Sequence, residues 1–210
     1  MDGAELQSLI HYGYGIAAEN VGFPCSVYRP ASMLNPVGGT PLYTNVMASF
    51  TTGPEYSRYN KPKVPDWTAL LDGTNIQRGD WFVGAQGTFY IAGMQKILLI
   101  AAIGCNRVVS IVRPTYTVTG VMEQVDSTIA TALPVFAYTS RDKATAPSAF
   151  PSPTESAAGM PVMEFYINAH TIGQILKNDV IVDENGDRYV IDAPTFTSFG
   201  FVVLAHIEKP

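Results

Sequence analysis

Charge is scarce in this 210-residue chain, and basic charge scarcer: Asp, Glu, Lys and Arg make up 15%, with 13 basic against 18 acidic residues and a net charge of −5. No run of Lys and Arg occurs. Nucleic-acid binders show a basic surplus or a basic stripe, so a tight grip on DNA is not expected. Cysteine is almost missing too. Cys25 and Cys105 have no partner spacing for zinc. A reducing compartment fits, and one bridge between them stays open. The longest apolar run, ILLIAAIGC at 97–105, falls far short of the roughly 20 residues a membrane-crossing helix needs and reads as a buried strand. The N-terminus, MDGAELQSLIHYGYG, lacks the basic region of a secretion signal and carries Asp2 and Glu5 instead. The GxSxG elbow, P-loop, GxGxxG and HExxH patterns are all missing. His11, His170 and His206 lie far apart, and His206, on an alternating strand, reads as a structural residue. Catalytic residues: none are assigned, nor any cofactor-binding or metal-binding residue, and no cofactor is expected.

What the chain does have is apolar: 47% of its residues, enough to bury a core in one domain or two small ones. Residues 2–19 open as a helix, with Leu6, Leu9, Ile10, Gly13 and Ile16/Ala17 at helical spacing and Asp2 and Glu5 at the positive end of the helix dipole. That apolar face is expected to pack on its own domain. A short strand-like piece, PCSVYRP, follows. Residues 31–65 then carry Pro36, Pro41, Pro54, Pro62 and Pro65 with Gly38, Gly39 and Gly53, which rules out a long helix. Tyr43, Val46, Met47, Phe50, Tyr56 and Tyr59 lie within them. Two readings are open: a loop folded back over its own domain, or an extended arm laid on a neighbouring subunit. Strands are expected at 80–84, 88–93, 97–104, 107–113, 116–122, 128–139, 162–168, 179–183, 187–192 and 199–207. Residues 141–161, rich in Ala, Pro and Ser, read as an exposed loop or interdomain linker.

One device occurs twice. IQRGDWFVGAQGTFYIAG (76–93) and ILKNDVIVDENGDRYVID (175–192) align without gaps, matching Ile76, Asp80, Val83, Gly87 and Tyr90 with Ile175, Asp179, Val182, Gly186 and Tyr189. Each reads as a Gly-Asp or Asn-Asp turn, a strand, a tight turn with Gly and a second strand. Asn185-Gly186 is the local signature of a two-residue hairpin. The alternating acids of DENGD suggest calcium, but the twelfth residue from Asp183 is Pro194, not the Glu an EF-hand loop requires. The expected fold is mainly β: an N-terminal helix and first strand (1–30), an extended arm (31–65), a first hairpin-centred small barrel-like unit (66–140), the loop (141–161) and a second unit (162–210).

The pattern GDxhhxxxGxxYxhxx with a return strand resembles the small β-barrel neck proteins of tailed bacteriophages, the head–tail joining, head-closure and tail-completion proteins. GFPCSVYRP and GTFYIAGMQKILLIAAIGCNRVVSIVRP are similar to segments of phage structural proteins as well. The resemblance covers 1–30 and 70–115 best and carries over no functional residue, because such proteins act through surfaces. It implies a non-enzymatic virion structural protein, assembled in the host bacterial cytoplasm. That protein would form a homo-oligomeric ring on portal and tail partners, with genomic DNA passing unheld and no membrane partner. A capsid decoration or receptor-binding protein is the alternative, and an unrecognised hydrolase the remote one.

Overall fold

The computed structural model describes residues 2–52, 65–96, 98–118, 122–140, 162–168, 175–197 and 200–208, with the backbone alone at 116–118, 122–124 and 140. It is mainly β, with one helix among the described residues.

The helix, α1 (Gly3–Val21), starts at a capping box. The Asp2 side chain accepts from the backbone of Ala4 and Glu5 while Glu5 reaches back to the Asp2 N–H, so orphan donors of the first turn are satisfied locally. Twelve strands follow among the described residues: β1 (Phe23–Tyr28), β2 (Tyr43–Thr51), β3 (Asp66–Leu71), β4 (Trp81–Gly84), β5 (Gly87–Gly93), β6 (Ile100–Cys105), β7 (Arg107–Val118), β8 (Met122–Ser140), β9 (Val162–Ile167), β10 (Val180–Val182), β11 (Arg188–Thr197) and β12 (Gly200–Ile207).

They close two barrels. The first runs β1-β2-β3-β6-β5-β4 and the second, read the same way, β7-β8-β9-β12-β11-β10. The order is identical, so each strand of the first barrel has a counterpart six strands later. Irregularities repeat too. Opposite the break between Cys25 and Val27, Asn45 takes φ 58°; opposite the break between Val109 and Ile111, Ala132 takes φ 47°. A second irregularity falls after Ile91 in one barrel and after Ile191 in the other. Bulges bend a strand and sharpen its twist, which a small barrel needs in order to close.

Side chains fill both lumens. In the first, Phe50 stacks on Phe89 at 3.9 Å and Trp67 meets Phe89 edge-on at 5.3 Å, among Val27, Ala48, Leu71, Phe82, Ile91 and Ala102. A Cβ at Gly104 would lie 2.6 Å from Trp67 Nε1, so the missing side chain is the space the indole occupies. In the second, Phe165 and Tyr189 meet edge-on at 5.6 Å among Ile111, Leu133, Ile181, Ile191 and Val203.

Several expectations need correction. The units do not flank 141–161. They meet at Asn106, between Cys105 and Arg107, and 141–161, outside the described residues, joins β8 to its own neighbour β9. A 66–140 unit therefore divides the wrong strands: β7 and β8 belong to the second barrel. The 31–65 arm is corrected where it is described. Tyr43–Thr51 is a stave of the first barrel, Met33 is buried, and Asn35 N–H donates to Thr131 O; residues 53–64 lie outside the described residues. The turn after Asp183 is not a two-residue one. Asp183 N–H donates to Asp187 O, Gly186 N–H to Asp183 O, and Gly186 takes φ 84°, the three-residue loop with glycine in the left-handed position. Consequently the gapless match fails beyond it: Trp81 pairs with Tyr90, but Val180 pairs with Val190, so Tyr189 stands where Phe89 does.

Candidate functional site: twin clamps, a barrel junction and an exposed helix face

The repeated device is a clamp. In the first barrel Asp80 is 1% exposed, and its carboxylate accepts from Arg29 Nε and Nη2, both at 2.7 Å, and from Gln77 N–H at 2.7 Å. Gly79, at φ 91°, sends its N–H to Ile91 O, and Ile91 N–H returns to Asp80 O. In the second barrel Asp179 accepts from Arg113 Nε at 2.7 Å and Nη2 at 2.9 Å and from Leu176 N–H at 2.7 Å. Asn178, at φ 71°, and Ile191 complete the same exchange. Each clamp ties the first strand of its barrel to the hairpin that closes it, since β1 pairs β4 and β7 pairs β10. The bidentate fork raises the pKa of Arg29 and Arg113 through the hydrogen bond to the carboxylate, against desolvation.

Neither arginine figures in the alignment of the two hairpins. The signal lies upstream: SVYRP (26–30) and SIVRP (110–114). Ser26, Val27 and Tyr28 pair with Val83, Phe82 and Trp81, while Ser110, Ile111 and Val112 pair with Val182, Ile181 and Val180. VRP (112–114) thus belongs to the first strand of the second barrel.

The barrels are docked against each other. Trp81, Tyr90, Ala92 and Ile103, on the outer face of the first barrel, belong to one apolar cluster with the second. Asn106, the one residue between β6 and β7, donates through Nδ2 to Ala137 O and accepts at Oδ1 from Ala137 N–H, while its own N–H donates to Val135 O. Buried Asn168 donates to Gly79 O at 2.8 Å. Glu164 accepts from the hydroxyls of Tyr138 at 2.7 Å and Tyr166 at 2.9 Å. Burial first, and then that carboxylate, push the Tyr138 hydroxyl up to about 12 and raise Tyr166 for the same reasons.

The residues singled out by sequence are scattered. His206 bonds Asp192, its neighbour across β11 and β12, at 2.9 Å; His11 contacts Gln7 within the helix; His170 lies outside the described residues. Asp183 is spent on its own turn, accepting from Asn185 N–H and Asp187 N–H, and pairs with Arg107. Cys25 and Cys105 are both free thiols raised by burial, one in the first lumen and the other against the barrel junction. Among the described residues no three His, Cys, Asp or Glu side chains group to hold a metal ion, and no helix is long and apolar enough to cross a membrane.

The helix face is the largest departure from expectation. α1 lies on β2 and β3 on a side centred on small or polar residues, where Ala18 is buried, Gly15 abuts Asp72 and His11 abuts Gly73, with Ile10 and Tyr14 half-buried beside them. Leu6, Leu9, Tyr12 and Ile16 are 37%, 54%, 64% and 45% exposed. Periodicity finds an apolar face, but it does not say which side of the helix the barrel takes. No family model, curated protein or solved structure matches the chain.

Proposed function

We propose that this chain is a structural subunit of a bacteriophage virion, a ring-forming adaptor at the head–tail junction or upper tail. The observation that carries the reading is the tandem of two side-chain-filled barrels with one strand order, each closed by an Arg–Asp clamp on a buried carboxylate. Such a body is stiff and offers its outside as the acting part. Its hairpin grammar is that of the neck barrels the sequence resembles. Two features suit contact with neighbours: the exposed apolar side of α1, and the ribbon where β7 and β8 pair beyond their last partners in β10 and β9, with Thr115, Val125, Asp126 and Ser127 exposed. In a ring, a net charge of −5 per chain accumulates around the channel and supplies no counterion-release affinity for passing phosphates.

The test mixes the purified chain with portal and tail assemblies and images the product by electron microscopy. Rings stacked on a portal or a tail end support the reading. Binding to preformed capsid faces instead would make it a decoration protein. Micromolar or tighter affinity for duplex DNA with a steep salt dependence would overturn the passive conduit.

A further inference from the structure

We infer that the outward stripe of α1 docks on a second copy of this chain, against the loop between β5 and β6. The inference deepens the ring reading and rests on it for the identity of the neighbour. Leu9 and Ile16 point directly away from the barrel side of α1, flanked by Leu6 and Tyr12, and Gly13 between them has open space where a side chain would stand. Four large apolar side chains in a row on one exposed helix face form a contact core rather than scattered surface residues.

Charge selects the occupant. The side chains of α1 and its cap that can carry charge near neutral pH are Asp2, Glu5, His11 and Glu19, with no Lys or Arg. An anionic lipid surface is therefore disfavoured. Pairing α1 with its own copy sets Glu5 and Glu19 against carboxylates in either direction, with no cation to answer them. The fitting surface is apolar with a cationic edge, and the chain itself displays one. In the β5–β6 loop Leu98 and Leu99 are 56% and 52% exposed beside exposed Lys96. Among the described residues neither patch covers the other, so a contact between them is one between chains. Because the two surfaces differ, the contact is heterologous, the kind that closes rings.

The experiment uses the full chain and light scattering coupled to size exclusion, with circular dichroism and melting temperature as controls. One variant carries Leu9→Asp with Ile16→Asp; the other carries Lys96→Glu with Leu98→Asp. Each should run as a monomer with unchanged dichroism. Mixed one to one, they retain a single good helix face and a single good loop between them, so they should form a dimer and nothing larger. Glu19→Lys alone, an exposed change with little cost to the fold, should weaken the wild-type oligomer, and adding Lys96→Glu should restore it. An oligomer that survives either double variant, or a mixture that stays monomeric, overturns the inference. So does a wild-type chain that is monomeric throughout. In that last case portal binding still decides the proposed function on its own.

Discussion

At the residue scale, the clamps pair a buried carboxylate with a guanidinium that keeps about a third of its side chain in water (side-chain exposure 32%). That asymmetry says which partner is dangerous to remove. Without Arg113, Asp179 is a buried charge held only by backbone, whereas Arg113 without Asp179 can still reach solvent. Arg113→Met should cost about 3 kcal/mol, measured by denaturant unfolding, and more than Asp179→Asn. Arg29→Met should behave alike, and because its clamp sits in the other barrel the two losses should add. A result in which Asp179→Asn is the costlier change would contradict the assignment. Ala132 gives the opposite sign. It is exposed, is neither Gly nor Asn, and holds φ 47°; a left-handed L-residue is strained by roughly 1 kcal/mol. Ala132→Gly should gain up to about 1 kcal/mol and Ala132→Val should lose stability, both read from denaturation midpoints.

At the element scale, the hairpins are readable in the sequence because Gly79-Asp80 and Asn178-Asp179 announce a turn and Gly87 and Gly186 a reversal; the first two pairs sit in their turns, Gly186 closes a loop one residue longer than expected, and Gly87 opens β5 directly after its turn. β2 is not readable. Its alternation breaks at Asn45, and the prolines and glycines of 30–65 conceal a nine-residue strand. The barrel boundary is hidden for a different reason: the sequence marks a break between strands at Asn106, but a single residue between β6 and β7 looks like any other strand connection and not like a passage from one barrel to the next. Periodicity places the helix correctly, but its packed face depends on Gly15 and Ala18, which no hydrophobic pattern ranks above Leu9. Gly13 follows from this. It lies mid-helix, and a Cβ added there would meet nothing within 4 Å, so Gly13→Ala should raise the monomer's stability by about 1 kcal/mol, measured on the Leu9→Asp, Ile16→Asp background. No change there would argue that the helix frays at that point.

At the scale of the whole molecule, the junction has a pH limit. Tyr138 and Tyr166 stay neutral longer in the folded chain than in the unfolded one. Their contribution is complete below about pH 10, the unfolded tyrosine value, and is lost as pH rises towards the folded value of about 12 for Tyr138. Melting temperature should therefore fall across that window, and Tyr138→Phe with Tyr166→Phe should flatten the fall. An equally steep decline in the double variant would place the alkaline weakness elsewhere. Mechanically, Asn106 leaves the joint no slack. A pull along the chain from α1 towards the end of β12 reaches the second barrel through one residue whose amide is stapled to β8, so no linker stretches to absorb it. What yields is then an element of the fold itself, α1 leaving its barrel or one strand leaving another. A particle built from such subunits would pass load between its ends as a strut does, with little give before it breaks.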